Sequence, residues 1–250
     1  MAKRYLKGME KLNSTLWTSY KLDDAKKFHV TEAYKLIRTN LLFTLSDADK
    51  KVVLVSSAEP DAGKSISCAN LAISMAQTGA RVLLIDADMR RAVQHRIFGI
   101  PKGKGISQLL GGFCGLEDAI VHDKSSLDII TAGQQPPNPV ELLASKSMNT
   151  ILEKLSEQYD YIFIDTPPVN ILSDALVLAD KVAGVVLIAR QKQTTYDILQ
   201  KAIDSIRKVD GVVLGTVIND VEEKNKPYKS YSSYYSSYYG SYEPKKTAEK

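Results

Sequence analysis

Residues 57 to 65 read Ser-Ala-Glu-Pro-Asp-Ala-Gly-Lys-Ser, between a β-branched run and a helical pattern. A loop placed there aims backbone N–H groups and a helix N-terminus at phosphate oxygens. The run matches G-x-x-x-x-G-K-[ST] at Gly63, Lys64 and Ser65, and Ala58 stands in the first glycine's place. In such a loop Lys64 neutralises the β- and γ-phosphates of a nucleotide and Ser65 coordinates Mg²⁺. Glu59, Pro60, Asp61, Ala62 and Ile66 complete the cradle. Taken alone, three matching residues also allow a chance Gly-Lys-Ser at a helix start.

Two later segments narrow that choice. Val82-Leu83-Leu84-Ile85-Asp86-Ala87-Asp88 ends a strand with acids on alternate positions, and Tyr161-Ile162-Phe163-Ile164-Asp165 ends another with one. All three carboxylates then emerge at the carboxyl edge of a sheet, where open α/β proteins bind their ligands. Four apolar or aromatic residues running into one aspartate make a Walker B strand, whose carboxylate holds Mg²⁺. Either motif by itself reads as a turn-capping Asp. Their joint occurrence with Gly63-Lys64-Ser65 reads as a site for ATP and Mg²⁺. Arg90 and Arg91 follow directly, placed to meet phosphate charge or a docked phosphotyrosine, or simply to be solvated.

The C-terminus supplies a possible acceptor. Tyr228, Tyr231, Tyr234, Tyr235, Tyr238, Tyr239 and Tyr242 place seven of the thirteen tyrosines within fifteen residues, separated mainly by Ser, Gly and Lys. No core can use them, because residues 222 to 250 contain no Leu, Ile, Val, Phe or Trp and cannot repay the entropy of ordering. Aromatic tracts that drive self-association or RNA contacts carry Arg-Gly or Asn/Gln richness, which is missing here. A phenol with a pKa of about 10 benefits from a carboxylate that accepts its proton during phosphoryl transfer, and Asp86 or Asp88 can supply one. Seven phosphates would add a charge of about −10 or more.

These residues need a parallel sheet to position them. Apolar runs at Lys51–Val55, Arg81–Asp86, Leu127–Thr131, Tyr161–Asp165, Val185–Ala189 and Val212–Asn219 predict strands covered on both faces. Helical spacing at Ser65–Thr78, Pro139–Gln158 and Thr195–Val209 predicts helices between them. The expected fold is a doubly wound α/β domain over residues 29–221, with a mostly parallel sheet flanked by helices, as in P-loop NTPases. Residues 1–28 form a lead-in helix or arm, and residues 222–250 a disordered tyrosine-rich tail.

Composition excludes several classes. The charge of +4 is too small for a nucleic-acid footprint. Cys68 and Cys114 make neither a metal pair nor a disulfide framework, which fits a reducing, cytosolic compartment. His29, His95 and His122 are scattered without ligand spacing. The longest apolar run, Val182 to Ala189, has eight residues, against the roughly 20 a bilayer-spanning helix needs. The basic N-terminus lacks the apolar stretch of a signal peptide.

Ala58 to Ser65, Leu84 to Arg91 and Ile162 to Pro168 resemble the Walker A, A′ and B motifs of bacterial tyrosine kinases, in the wider class of the MinD and ParA ATPases. Gly133 and Pro136-Pro137-Asn138-Pro139-x-Glu141-Leu142-Leu143 extend the likeness, which covers about residues 30 to 242. The stand-alone cytoplasmic kinases of capsule and exopolysaccharide operons match most closely. The resemblance implies that Lys64, Asp86, Asp88 and Asp165 are catalytic, with Asp86 nearest the tyrosine hydroxyl and Ser65, Asp88 and Asp165 around Mg²⁺. It implies that Asn219 reads the adenine edge, although an Asn ending a strand also simply starts a turn. It further implies autophosphorylation of the tail, a transmembrane polysaccharide co-polymerase as activator, a cognate phosphotyrosine phosphatase, and a cytoplasmic location at the inner face of the membrane. Thr31 to Arg38 resembles the family's E-x-x-R-x-x-R helix, which builds a ring-shaped oligomer suited to transfer in trans. Glu32 and Arg38 match and Lys35 replaces the first Arg; an intrachain Glu32–Lys35 pair is the plainer reading. Ala92 departs from the family's Pro after the Arg pair, and Ile66 from its Thr, whose backbone N–H remains.

Two other functions use some of the same residues. A MinD- or ParA-like ATPase switch would carry K-G-G-x-G-K-[ST], but Glu59 stands where its first lysine belongs. A non-catalytic scaffold displaying tyrosines would have no need of Lys64 with Asp86, Asp88 and Asp165.

Overall fold

The computed structural model describes residues 24–122 and 127–222. Among them, seven strands form one sheet in the order β3-β4-β2-β5-β1-β6-β7. The chain runs through helix α1 (Asp24–Thr44), β1 (Val52–Ser57), α2 (Lys64–Ala76), β2 (Val82–Asp86), and the short helices α3 (Gln94–Ile97), α4 (Ile106–Leu110) and α5 (Leu116–Ala119). It continues through β3 (Ile120–Val121), β4 (Leu127–Ile130), α6 (Pro139–Ala144), α7 (Lys146–Gln158) and β5 (Tyr161–Asp165). A 3₁₀ turn (Leu176–Leu178), β6 (Gly184–Arg190), α8 (Tyr196–Arg207) and β7 (Val213–Asn219) complete it.

The predicted strands are all present, with ends shifted by a residue or two. All ladders are parallel except the added edge strand β3, which pairs antiparallel with β4 through Ile120 and Ile130. Two residues are too few for a periodicity signal. Pro139–Gln158, expected as one helix, is two: Ser145 breaks it with extended backbone (ψ 157) and caps α7 by accepting a hydrogen bond from Met148 N. A serine hydroxyl competes for backbone groups in this way. The boundary expected between residues 28 and 29 falls inside α1. The sheet domain closes at Asn219, and the tail tyrosines lie outside the described residues.

Alternating strand residues feed two cores, because successive side chains point to opposite faces. Leu54, Leu83, Ile85, Ile164 and Leu187 pack with Leu143, Met148 and Leu155 of α6 and α7 and with Ile206 of α8. Val53, Val55, Leu84, Phe163 and Ile188 pack on the other face with Leu71 and Met75 of α2 and with Tyr34 and Leu41 of α1. The central strands β1, β2 and β5 are buried at every position. Burying a single Leu or Ile there contributes roughly 1.5–3 kcal/mol, so both layers press the sheet against deformation. No described helix is long and apolar enough to cross a membrane.

Sheet order fixes where the chemistry collects. β5 lies between β1 and β2, while β6 continues the sheet on the other side of β1. The connections therefore diverge at β1, which opens a crevice at the carboxyl ends of the strands.

Candidate active site

The loop after β1 enters α2 through Gly63, whose φ of +86° is the left-handed conformation open to glycine. The first i→i−4 bond of α2 runs from Ser67 N to Gly63 O. The amides of Lys64, Ser65 and Ile66 precede it, and no side chain caps this helix end. Such an end carries partial positive charge suited to phosphate. The ends of β6 and β7 and the turn after β6 clamp the loop: Gln193 Nε2 donates to Pro60 O at 3.0 Å, Arg190 Nη1 to Asp61 O at 3.3 Å, and Asn219 Nδ2 to Ala62 O at 3.0 Å. Within it, Ser57 Oγ donates to Glu59 O at 2.6 Å.

The three carboxylates converge beside this loop. Asp86 and Asp165 are direct partners across the β2–β5 ladder, and Ala87 N donates to Asp165 O at 2.8 Å. Lys64 Nζ sits 2.8 Å from Asp88 Oδ2, 3.6 Å from Asp165 Oδ1 and 3.1 Å from Ser65 Oγ. Asp88 Oδ1 accepts from Arg91 N at 2.9 Å. Asp86 Oδ2 accepts from Val93 N and Gln94 N at 3.2 and 3.0 Å, while its Oδ1 makes no hydrogen bond.

One cation thus serves three buried acids. Burial, joined by the neighbouring Asp165 charge, pushes Asp86 well above the usual carboxylate range; the Gln94 amide and Lys64 oppose it. Burial likewise raises Asp165, against Lys64, Ser65 and Gln94. Burial works to neutralise Lys64, but Asp165, Asp88 and Asp86 together outweigh it and hold its ammonium above the usual lysine value. The Lys64–Asp165 contact raises the lysine and pulls the carboxyl down, but the complete burial of Asp165 outweighs that pull and leaves it raised. Lys64 stands as a charged lysine shared among carboxylates.

The geometry fits a nucleotide with Mg²⁺. An uncapped helix end faces no protein cap, and the buried Oδ1 atoms of Asp86 and Asp165 have no hydrogen-bond donor. Among the described residues no three His, Cys, Asp or Glu side chains are arranged to hold a metal unaided. Mg²⁺ does not require such a cage, because one or two carboxylates, water and substrate phosphates satisfy it.

Other residues of interest take separate places. Arg90 Nε lies 3.4 Å from the fully buried Asp174. Lys35 Nζ pairs with Glu32 at 2.7 Å on the exposed side of α1, as the plainer reading of that helix expected. Arg38 Nη1 donates to Ser74 O at 2.7 Å and so ties α1 to α2. Gln94 was missed: it is fully buried, and its Nε2 donates to Ser65 O at 2.9 Å and Asp165 Oδ2 at 2.8 Å. An amide eight residues beyond Asp86 belongs to no phosphate-binding pattern, so only the turn into α3 discloses it.

A parallel sheet with this loop at its switch point defines a P-loop ATPase fold, and the AAA domain family matches residues 50–212. The putative tyrosine-protein kinase CapB of Staphylococcus aureus is 38% identical over 225 residues, covering 89% of this chain and 98% of that protein. The tyrosine-protein kinase ptk of Acinetobacter johnsonii is 34% identical over 79% of this chain, which spans only 27% of that longer protein. The solved kinase domain of the Escherichia coli tyrosine kinase ETK superposes with a TM-score of 0.76 at 33% identity, covering 78% of this chain and 77% of that one. The chain belongs to the bacterial tyrosine-protein kinases, within the ParA- and MinD-like P-loop class.

Proposed function

We propose that this chain transfers the γ-phosphoryl group of ATP to the tyrosines of its own C-terminal segment, Tyr228 to Tyr242. The observation that carries the reading is the convergence of Lys64 with Asp86, Asp88 and Asp165 beside an uncapped helix end. Glu59 to Ile66 supply the phosphate cradle and Asn219 the adenine contact. Asp86 keeps one oxygen on two backbone amides and leaves Oδ1 for the phenolic proton. As that proton leaves, the phenol oxygen bonds the γ-phosphorus, the bond to the bridging oxygen breaks, and ADP departs. Lys64 moves from Asp88 to the β- and γ-phosphates, where it stabilises developing charge. Ser65, Asp88 and Asp165 would hold Mg²⁺, which when bound would supply positive charge to neutralise the phosphates.

The kinase acts in capsular or exopolysaccharide synthesis and export. Its activator is a transmembrane polysaccharide co-polymerase that brings the chain to the inner face of the membrane, a phosphatase reverses the modification, and Glu32, Lys35 and Arg38 contribute to a ring of copies. The family resemblance and the greater length of the relative ptk, of which this chain spans 27%, support that setting. In a ring of this kind, Lys35 supplies a point charge where an Arg would offer a bidentate fork.

Purified chain with Mg-ATP and the activator's cytoplasmic segment gains phosphate on Tyr228 to Tyr242 by mass spectrometry, and Lys64→Met protein gains none. ATP turnover with no modified tyrosine would overturn the reading.

A further inference from the structure

A cavity of about 760 Å³ opens beside the loop that follows Asp88. Arg90, Arg91, His95, Arg96 and Lys102 line it, together with Met89, Ala92, Val93 and the backbone around Gly133 and Gln134. No carboxylate lines it, and no residue of the 57–66 phosphate loop reaches it. Among the described residues, Arg90 is the one lining side chain with an ion-pair partner, Asp174. Arg91, Arg96 and Lys102 line the same cavity, and among the described residues none of them has an ion-pair partner. Burial first, and then the charges of Arg96 and Lys102, hold His95 below the ordinary imidazole value.

Uncompensated cations gathered around a concave site call for an anion. Volume and lining narrow its kind. A cavity of this size suits a group larger than inorganic phosphate, and Met89, Ala92 and Val93 add apolar members to its lining. ATP has its own phosphate loop across β2 and β5. An aryl phosphate dianion meets both demands, because Arg forks accept its oxygens bidentately while apolar side chains cover the ring.

We propose that this cavity binds phosphotyrosine, holding one modified tyrosine of the tail while a neighbouring tyrosine is presented to Asp86 and Asp88. The proposal rests on the tail being the substrate. One loop serves both tasks, since Asp86 and Asp88 open the segment that Arg90 to Arg96 continue. The tail's spacing suits such stepping: its tyrosines recur at steps of three residues or one, and three residues span roughly 10 Å of extended chain. Each transfer then creates the ligand that helps the next.

The test uses a fluorescent peptide of residues 226–242 carrying one phosphate at Tyr235, added to phosphatase-treated full chain and read by anisotropy. The phosphopeptide binds about tenfold or more tighter than its unphosphorylated form, and Arg96→Ala with Lys102→Ala removes that advantage. Saturating Mg-ATP leaves it bound. Equal affinity of the two peptides, an unaffected double variant, displacement by ATP, or equally good competition by inorganic phosphate overturns the proposal. Because this binding needs no turnover, it can fail while tail phosphorylation stands, and the reverse. In turnover, the double variant still modifies its first tyrosine at the parent rate, but its products shift from multiply to singly phosphorylated chains. Unchanged product distributions also overturn it.

Discussion

Gln94 Nε2 lies 2.8 Å from Asp165 Oδ2 and 2.9 Å from the carbonyl of Ser65, so one buried amide joins the end of β5 to the first turn of α2. It fixes the spacing between the phosphate helix and the Walker B carboxylate, the two parts proposed to share a metal. The turn into α3 holds it there, since Gln94 N and Val93 N both donate to Asp86.

Gln94→Leu strips a donor from Ser65 O and Asp165 and lowers stability by about 1–3 kcal/mol, read as an earlier urea midpoint. Gln94→Glu places a third acid against Asp165 and Asp86. Its loss is larger at neutral pH and shrinks on acidification, a recovery that Gln94→Leu does not show. Kinase activity falls in both.

Asp86 links stability to pH. Its folded pKa lies above the unfolded value of about 3.9 because burial and Asp165 disfavour its charge. The folded state therefore binds its proton more tightly, and Asp86's contribution is most favourable below the unfolded pKa and is lost as pH rises through the folded one. Asp86→Asn makes the nucleotide-free chain more stable than the parent at pH 7, with a gain that vanishes toward pH 3.5, while phosphoryl transfer collapses. Denaturation midpoints across that range check it; a variant less stable than the parent at pH 7 contradicts it.

Gly63 meets two demands at once. Its φ of +86° disfavours any side chain, and a Cβ there would stand 2.1 Å from Asn219 Nδ2. Gly63→Ala costs about 1–3 kcal/mol and weakens ATP binding by tenfold or more. Adding Asn219→Ala removes the collision but not the backbone strain, so the double variant recovers only part of the lost stability. Calorimetry and ATP titration separate the two contributions.

The site was readable from sequence where its chemistry is written locally. Gly63, Lys64 and Ser65 are adjacent, and Asp86, Asp88 and Asp165 end apolar runs that only a buried strand explains. Gln94 and Asp174 escaped because their partners, Asp165 and Arg90, lie 71 and 84 residues away in the chain. The basic cavity escaped for a related reason: Arg90 and Arg91 stood out as a pair, while His95, Arg96 and Lys102 join them only when α3 turns. Helix continuity through Ser145 was overestimated because apolar periodicity persists across a residue whose side chain prefers to cap.

Lys64 is the common counter-ion of three acids, and this couples the order in which ligands arrive. If phosphate draws the lysine away, Asp86, Asp88 and Asp165 lose the one ammonium that pairs with them among the described residues, in a poorly solvated place. A divalent cation entering with the nucleotide restores the balance. If the site takes Mg-ATP as proposed, metal and nucleotide bind with positive cooperativity, each raising the other's affinity by the same factor, and metal-free ATP meets a site whose charge it disrupts. On the proposed reading, the carboxylate cluster then discriminates between the two forms of ATP before any tyrosine is present.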